Sequence, residues 1–128
     1  MNIRPFKKDD IKHMIELGAK MHQESNFKDL KFDKDKLIAL GEFILVNPNM
    51  YYAVVAEDKN KCIIGMFVGI ITEYYFSYDK VASDLSFYVE KDKRGALASL
   101  KMLKEFEKWA KRNGASEVRP STSTGIEI

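Results

Sequence analysis

Several residue types that build common frameworks are scarce in this chain. Its 128 residues hold one cysteine, Cys62, so no internal disulfide can form, which fits a reducing compartment. Cys62 opens an apolar run and reads as a small core filler. Two histidines, His13 and His22, and that one cysteine are too few for a structural zinc site, so no metal is expected. The longest apolar run, 62–71, is too short to cross a bilayer and is interrupted by Gly65 and Gly69, which face one side of a strand and read as places for a bulge or close packing. The first ten residues contain no apolar signal segment. Neither sign of charge dominates: 21 Lys and Arg against 19 Asp and Glu give a formal net charge of +2, with no basic block to meet a nucleic acid. No repeat, low-complexity tract or Pro/Gly/Ser linker divides the chain. These absences leave one domain over 1–128, expected in the cytoplasm, with no membrane and no nucleic acid as partner.

What is present is a clear succession of periodic segments. Residues 3–6 read as a short strand with Pro5 at an edge or strand end. Asp9 and Asp10 are good N-caps for a helix to about Gln23, with Ile11, Met14, Ile15, Gly18 and Met21 on one face. The polar stretch 24–29 is a connection. Asp33 can cap a second helix, with Leu37, Ile38, Leu40, Gly41, Ile44 and Leu45 on its apolar side and Asn47-Pro48 as its stop. Two β-rich runs, 51–57 and 62–73, flank a polar turn at 58–61. A third run, 81–90, sets Val81, Ser83, Leu85, Phe87 and Val89 against Ala82, Asp84, Ser86 and Tyr88, and only its second half is cleanly amphipathic. Helical spacing returns over 96–113, where Phe106 and Trp109 read as core, and Asn113-Gly114 is a C-cap signal. A last strand is expected over 116–121. The order β, α, α, β, β, β, α, β predicts an α/β protein of the α+β type. Its sheet is mixed and mostly antiparallel, with the last two strands parallel and joined by a helix.

The junction 89–103 carries the strongest chemical signal. An apolar strand stops, a charged stretch follows, and Arg94-Gly95 leads into a helix. A helix N-terminus offers orphan amides and the positive end of its dipole, Gly95 permits close backbone approach, and Arg94 can make a bidentate contact to phosphate. On the residues alone, a plain strand–helix turn and a phosphate cradle both remain open.

The element order, the strand end Leu85-Ser86-Phe87-Tyr88-Val89 followed by Lys93-Arg94-Gly95 and a Leu-rich helix, and the run Lys-Trp-Ala-Lys-Arg-Asn-Gly-Ala-Ser-Glu-Val at 108–118 resemble the GNAT superfamily of N-acetyltransferases. The resemblance spans the whole chain in order, and its specific residues lie mainly in 85–118. Two features depart from the family pattern. Its loop, Arg/Gln-x-x-Gly-x-Gly/Ala, places Leu97 and Ser99 where glycines are usual, so the chain resembles divergent members with an Arg-Gly start and small residues afterwards, some of them phage-encoded. The family also continues beyond the fifth strand with a helix and two strands. The sequence is therefore expected to be a shortened piece, a reduced member, or one whose missing strands come from a partner. The exposed edge that results favours a homodimer.

The resemblance implies acetyl-CoA as cosubstrate and a primary amine, on a small molecule or a peptide, as acceptor. It implies that the pantetheine arm pairs along Phe87, Tyr88 and Val89, where a backbone amide meets the thioester carbonyl. The pyrophosphate would meet Arg94, Gly95, Ala96, Leu97, Ala98, Ser99 and Leu100. Glu73, Asp84 and Ser86 are the implied candidates for proton handling, each also readable as an ordinary strand residue. His22, Glu24 and Ser25 at the first helix exit, with Tyr74 and Tyr75 of an aromatic cluster, are candidates for holding the acceptor. A lone histidine at a helix end such as His22 is more often a cap or surface residue, and the aromatics read equally as cover for a sheet edge. The alternatives on the same scaffold are a non-catalytic CoA-binding module and a phage-type protein-interaction module.

Overall fold

The computed structural model describes residues 2–90, 92 and 97–119. Arg94, Gly95 and Ala96 of the expected phosphate loop lie outside the described residues, as do 120 and 121 of the expected last strand. The elements are β1 (Asn2–Pro5), α1 (Ile11–Glu24), α2 (Lys34–Val46), β2 (Tyr51–Glu57), β3 (Ile63–Glu73), β4 (Lys80–Val89), α3 (Leu97–Arg112) and β5 (Ala115–Arg119). They form a five-stranded sheet in the order β1-β2-β3-β4-β5. The first four strands are antiparallel, and β5 joins β4 in parallel after the α3 crossover. This is the order and fold class expected from the sequence.

Local chemistry sets the boundaries. Asp33 caps α2 by accepting from the Lys36 amide at 3.1 Å. In the β2–β3 turn, Asp58 Oδ1 accepts from the amides of Asn60 (2.8 Å) and Cys62 (3.0 Å), while Lys61 takes a left-handed φ of 63°. Gly114, at φ 84°, ends the α3 segment as a C-cap glycine should. Cys62 differs from expectation: it is exposed, because the turn holds its amide and the strand ladder begins only at Ile63.

Asp10 also does something other than cap α1. A short 3-10 turn, Lys8–Asp10, precedes the helix, and the Asp10 side chain makes no cap bond to it. Its buried carboxylate instead accepts from both terminal nitrogens of Arg4, at 2.8 and 2.9 Å, and from the Lys7 amide at 2.8 Å. Arg4 Nε meets Glu57 Oε2 at 3.0 Å, so one guanidinium ties β1, β2 and the start of α1 together. The Arg4 contact holds the Asp10 carboxyl below the usual carboxylate range.

The sheet carries helices on both faces. On one face α3 packs Met102, Phe106, Trp109 and Ala110 against Val54, Phe67, Ile71, Ala82 and Val89. The Phe67 and Phe106 rings lie 4.8 Å apart, and Phe106 sits directly over Gly69. A Cβ built on Gly69 would come 2.2 Å from Phe106 Cε1. That strand glycine exists to let an aromatic ring approach bare backbone, in line with the close packing expected there. On the other face α1 packs Ile11, Met14 and Leu17 against Val55, Met66 and Tyr88, and Ile44 of α2 meets Tyr51 and Val68.

One irregularity in β4 changes which of its residues face α1. Val68 pairs with Ser86, but the next residue, Gly69, pairs with Asp84, so Leu85 is an extra residue on β4. The alternation reverses there. Ala82 faces α3 before the bulge, Phe87 and Val89 face α3 after it, and Leu85 no longer shares their side. That is why only half of 81–90 alternates cleanly.

Candidate functional site

A cavity of about 220 Å³ opens on the α1/α2 face beside this bulge. The second half of α1 supplies Met14, Gly18, Met21 and His22, and its exit supplies Ser25. Phe27 and Phe32 come from the α1–α2 connection, Leu37 and Leu40 from α2. Met66 and Val68 of β3 form the floor. Regular alternation would hide either Leu85 or Ser86 on the opposite face; the bulge turns both into the cavity.

The walls are apolar, and the polar atoms among them have distinct commitments. Ser25 Oγ donates to the His22 carbonyl and accepts from the Phe27 amide, both at 3.1 Å, so its hydroxyl serves the helix exit. His22 Nε2 lies 2.5 Å from the Leu30 carbonyl oxygen. A carbonyl only accepts, so Nε2 carries the hydrogen in this contact, and Nδ1 is the ring's other nitrogen. The same ring leans on Phe32, centroids 5.6 Å apart. Ser86 Oγ has one hydrogen-bond partner among the described residues, the Met21 sulfur at 3.5 Å, a weak acceptor. Among the described residues, no Asp or Glu lines the cavity. Beside it, the buried Tyr88 hydroxyl donates to Glu24 Oε2 at 2.5 Å, joining β4 to the end of α1.

His22, Ser25 and Ser86 are thus brought together, with Glu24 joined through Tyr88. Phe87 and Val89 turn their side chains into the α3 core. Asp84 pairs with Gly69 and, by alternation from Ala82, falls on the α3 face, across the sheet from Ser86. Glu73 is exposed, pairs with Lys80, and lines a separate hollow with Asn47 and Met50. Along β3 it lies five residues beyond Val68, the partner of Ser86, roughly 17 Å at strand rise. Tyr74 and Tyr75 follow at that hairpin end: the Tyr74 hydroxyl accepts from Arg119 Nη1 at 2.9 Å, its ring stacks on Phe76, and Tyr75 is fully exposed. Leu97 and Ala98 begin α3, Ser99 is buried in its first turn and Leu100 is exposed. The sequence reading missed Phe27, Phe32, Leu37 and Leu40 as cavity walls. Phe27 and Phe32, with Leu30 between them in a mainly polar connection, were the available signal.

Among the described residues, no cluster of His, Cys, Asp and Glu could hold a metal ion, and no helix is long and apolar enough to cross a membrane. No protein-family model and no curated protein sequence matches the chain. Solved structures do. The aminoglycoside acetyltransferase AAC(6')-Iy, bound to a CoA–acetylneamine bisubstrate analog, superposes with a TM-score of 0.78 at 19% identity, covering 95% of this chain and 79% of that one. A glucosamine-6-phosphate N-acetyltransferase from Arabidopsis thaliana gives 0.72 at 15% identity, covering 99% and 91%. A predicted acetyltransferase from Clostridium acetobutylicum, solved with acetyl-CoA, gives 0.75 at 18% identity, covering 94% and 79%. At these identities the likeness concerns the fold: the chain has the GNAT-like architecture, a mostly antiparallel five-stranded sheet with helices on both faces.

Proposed function

We propose that the chain is an N-acetyltransferase that moves an acetyl group from acetyl-CoA to a primary amine. The observation that carries this reading is the cavity beside the β4 bulge. It is an apolar chamber holding one weakly bonded hydroxyl, Ser86, and one imidazole, His22, in a fold shared with acetyltransferases. The described residues suit acetyl-CoA at one point that geometry can test. In the β4–α3–β5 crossover α3, described from Leu97, follows the carboxyl end of β4, and a helix N-terminus in that position is favourable ground for a pyrophosphate. Arg94 and Gly95 would complete that cradle.

Acetyl-CoA, when bound, supplies the acetyl group as a thioester. The acceptor nitrogen forms a bond to the carbonyl carbon as the carbon–sulfur bond breaks. One proton leaves the nitrogen, one ends on sulfur, and an amide and a free thiol result. In this chain His22 Nδ1 receives the nitrogen's proton, because the Leu30 carbonyl fixes the hydrogen on Nε2. Ser86 Oγ orients the amine by accepting one of its hydrogens. A backbone amide within 87–89 donates to the thioester oxygen as negative charge develops there. Glu73 and Asp84 stay outside this assignment because neither lines the cavity.

Thermal melting with acetyl-CoA tests the reading. At a hundredfold excess over Kd, the native state gains about 2.7 kcal/mol. Release of thiol in the presence of an amine should drop roughly a hundredfold or more in His22→Gln, the loss of a general base. An unchanged melting temperature at large cofactor excess would remove the proposal. A second reading, a protein-interaction module on this fold, is favoured by the exposed aromatics Tyr75, Phe76 and Tyr78 at the β3–β4 turn, and it predicts that absence of a shift.

A further inference from the structure

We infer that the acceptor is a monoamine with an apolar body: an alkyl or aryl chain that carries one primary amine and no second charge. This rests on the acetyltransferase reading of the same cavity and names its substrate class. The first observation is the lining. Met14, Met21, Phe32, Leu40, Met66 and Val68 offer carbon and sulfur surface, which rewards burial of methylenes and nothing else. The second is the missing counter-charge. No Asp or Glu is among the described wall residues, and Glu24 beside them accepts from the Tyr88 hydroxyl, so a second ammonium inside the chamber would be desolvated with no carboxylate in the wall to meet it, and a polyhydroxylated sugar would leave several hydroxyls unbonded.

The third observation is hydrogen-bonding capacity. Of the polar side chains in the wall, Ser25 is committed to the His22 carbonyl and the Phe27 amide. What remains is the Ser86 hydroxyl, held only by a thioether among the described residues, and His22 Nδ1. Two such groups satisfy one amine nitrogen. A volume of about 220 Å³ holds a chain of several carbons behind it.

The test is thiol release by the full chain with saturating acetyl-CoA, across the straight-chain amines from propylamine to hexylamine. Butylamine is paired with 1,4-diaminobutane, and 2-phenylethylamine with glucosamine. The expected result is a kcat/KM that rises roughly fourfold per methylene, then levels where the cavity is filled. Both polar partners should react at least roughly tenfold more slowly than their apolar counterparts. Gly18→Leu, which fills the cavity, should flatten the ladder. Leu40→Ala, which enlarges it, should move the plateau to longer amines, so the inference does not depend on one variant folding.

If acetyl-CoA is consumed with diaminobutane or glucosamine as readily as with their partners, the inference is overturned and the acetyltransferase reading stands. A ladder that neither variant alters also overturns it, since the chain would then be read elsewhere. If acetyl-CoA neither stabilises the protein nor is consumed with any amine, the acetyltransferase reading fails and the inference falls with it.

Discussion

The two faces of the sheet are built to different rules. Under α3 the packing is closed to the last methyl group: Phe106 lies so near Gly69 that a Cβ there would sit 2.2 Å from a ring carbon. Under α1 and α2 the helix glycine Gly41 is tight, with Ile11 and Met14 atoms 3.1 Å from an added Cβ, but Gly18 of α1 has its nearest neighbour at 3.5 Å, and a chamber opens beyond it. Interlocked aromatic rings fill one face, while methionine, leucine and the two phenylalanines of the α1–α2 connection line a hollow in the other. The filled face stabilises the sheet. The hollow one is available for a ligand, and the β4 bulge determines which residues border it.

Phe106→Ala should break the comparison most severely. Removing a fully buried ring from the closed face should cost about 3–5 kcal/mol, read by denaturant unfolding. A loss under about 1 kcal/mol would mean that this face is loosely packed after all. Gly69→Ala comes next, because the added methyl must displace the Phe106 ring or the strand. About 1–3 kcal/mol of destabilisation is expected from overpacking.

The α1/α2 face is secured at its rim by polar contacts, and Asp10→Ala sharpens that contrast. Losing a charge-assisted partner of Arg4 should cost about 1.5–3 kcal/mol. The sign with pH follows from the lowered folded-state value of Asp10, set first by the Arg4 hydrogen bonds. The contribution is present above the ordinary carboxylate value of about 4 and is lost as pH falls through the lower folded value. An acid melting series should therefore bring wild type and variant together at low pH. Curves that stay parallel would assign the effect to packing instead. The smallest effect is Gly18→Ala: with ordinary contact distances around the new methyl, it should raise stability by roughly 0.5–1 kcal/mol through helix propensity. Destabilisation would show that the hollow face has less slack than Gly18 indicates.

Much of this fold is legible in the residues, and the reasons differ by element. The Asp33 cap, the Asp58 turn and the Gly114 terminus are local devices whose chemistry sits within a few residues, so sequence reveals them. Gly69 announced close packing, though its partner Phe106 lies on another element. Asp10 misled because its carboxylate satisfies a distant guanidinium in place of the adjacent helix amides. Cys62 misled because a composition run crosses the end of a turn without marking it.

The candidate site was only partly legible. Ser86, Ser25 and His22 stood out as polar residues near family landmarks, but nothing local says that Leu85 is bulged; that depends on its register against Val68 and Gly69. Tyr74 and Tyr75 attracted notice by aromatic density, which does not by itself make a concave surface.

Ligand binding in the hollow face is tested most directly by backbone amide NMR of the protein loaded with CoA, which has no acetyl group to transfer, titrated with 2-phenylethylamine. Shift changes should gather on 18–25, 37–40 and 85–86, with the α3 face quiet. Changes centred on the 74–78 hairpin or on α3, or no saturable change at all, would contradict it.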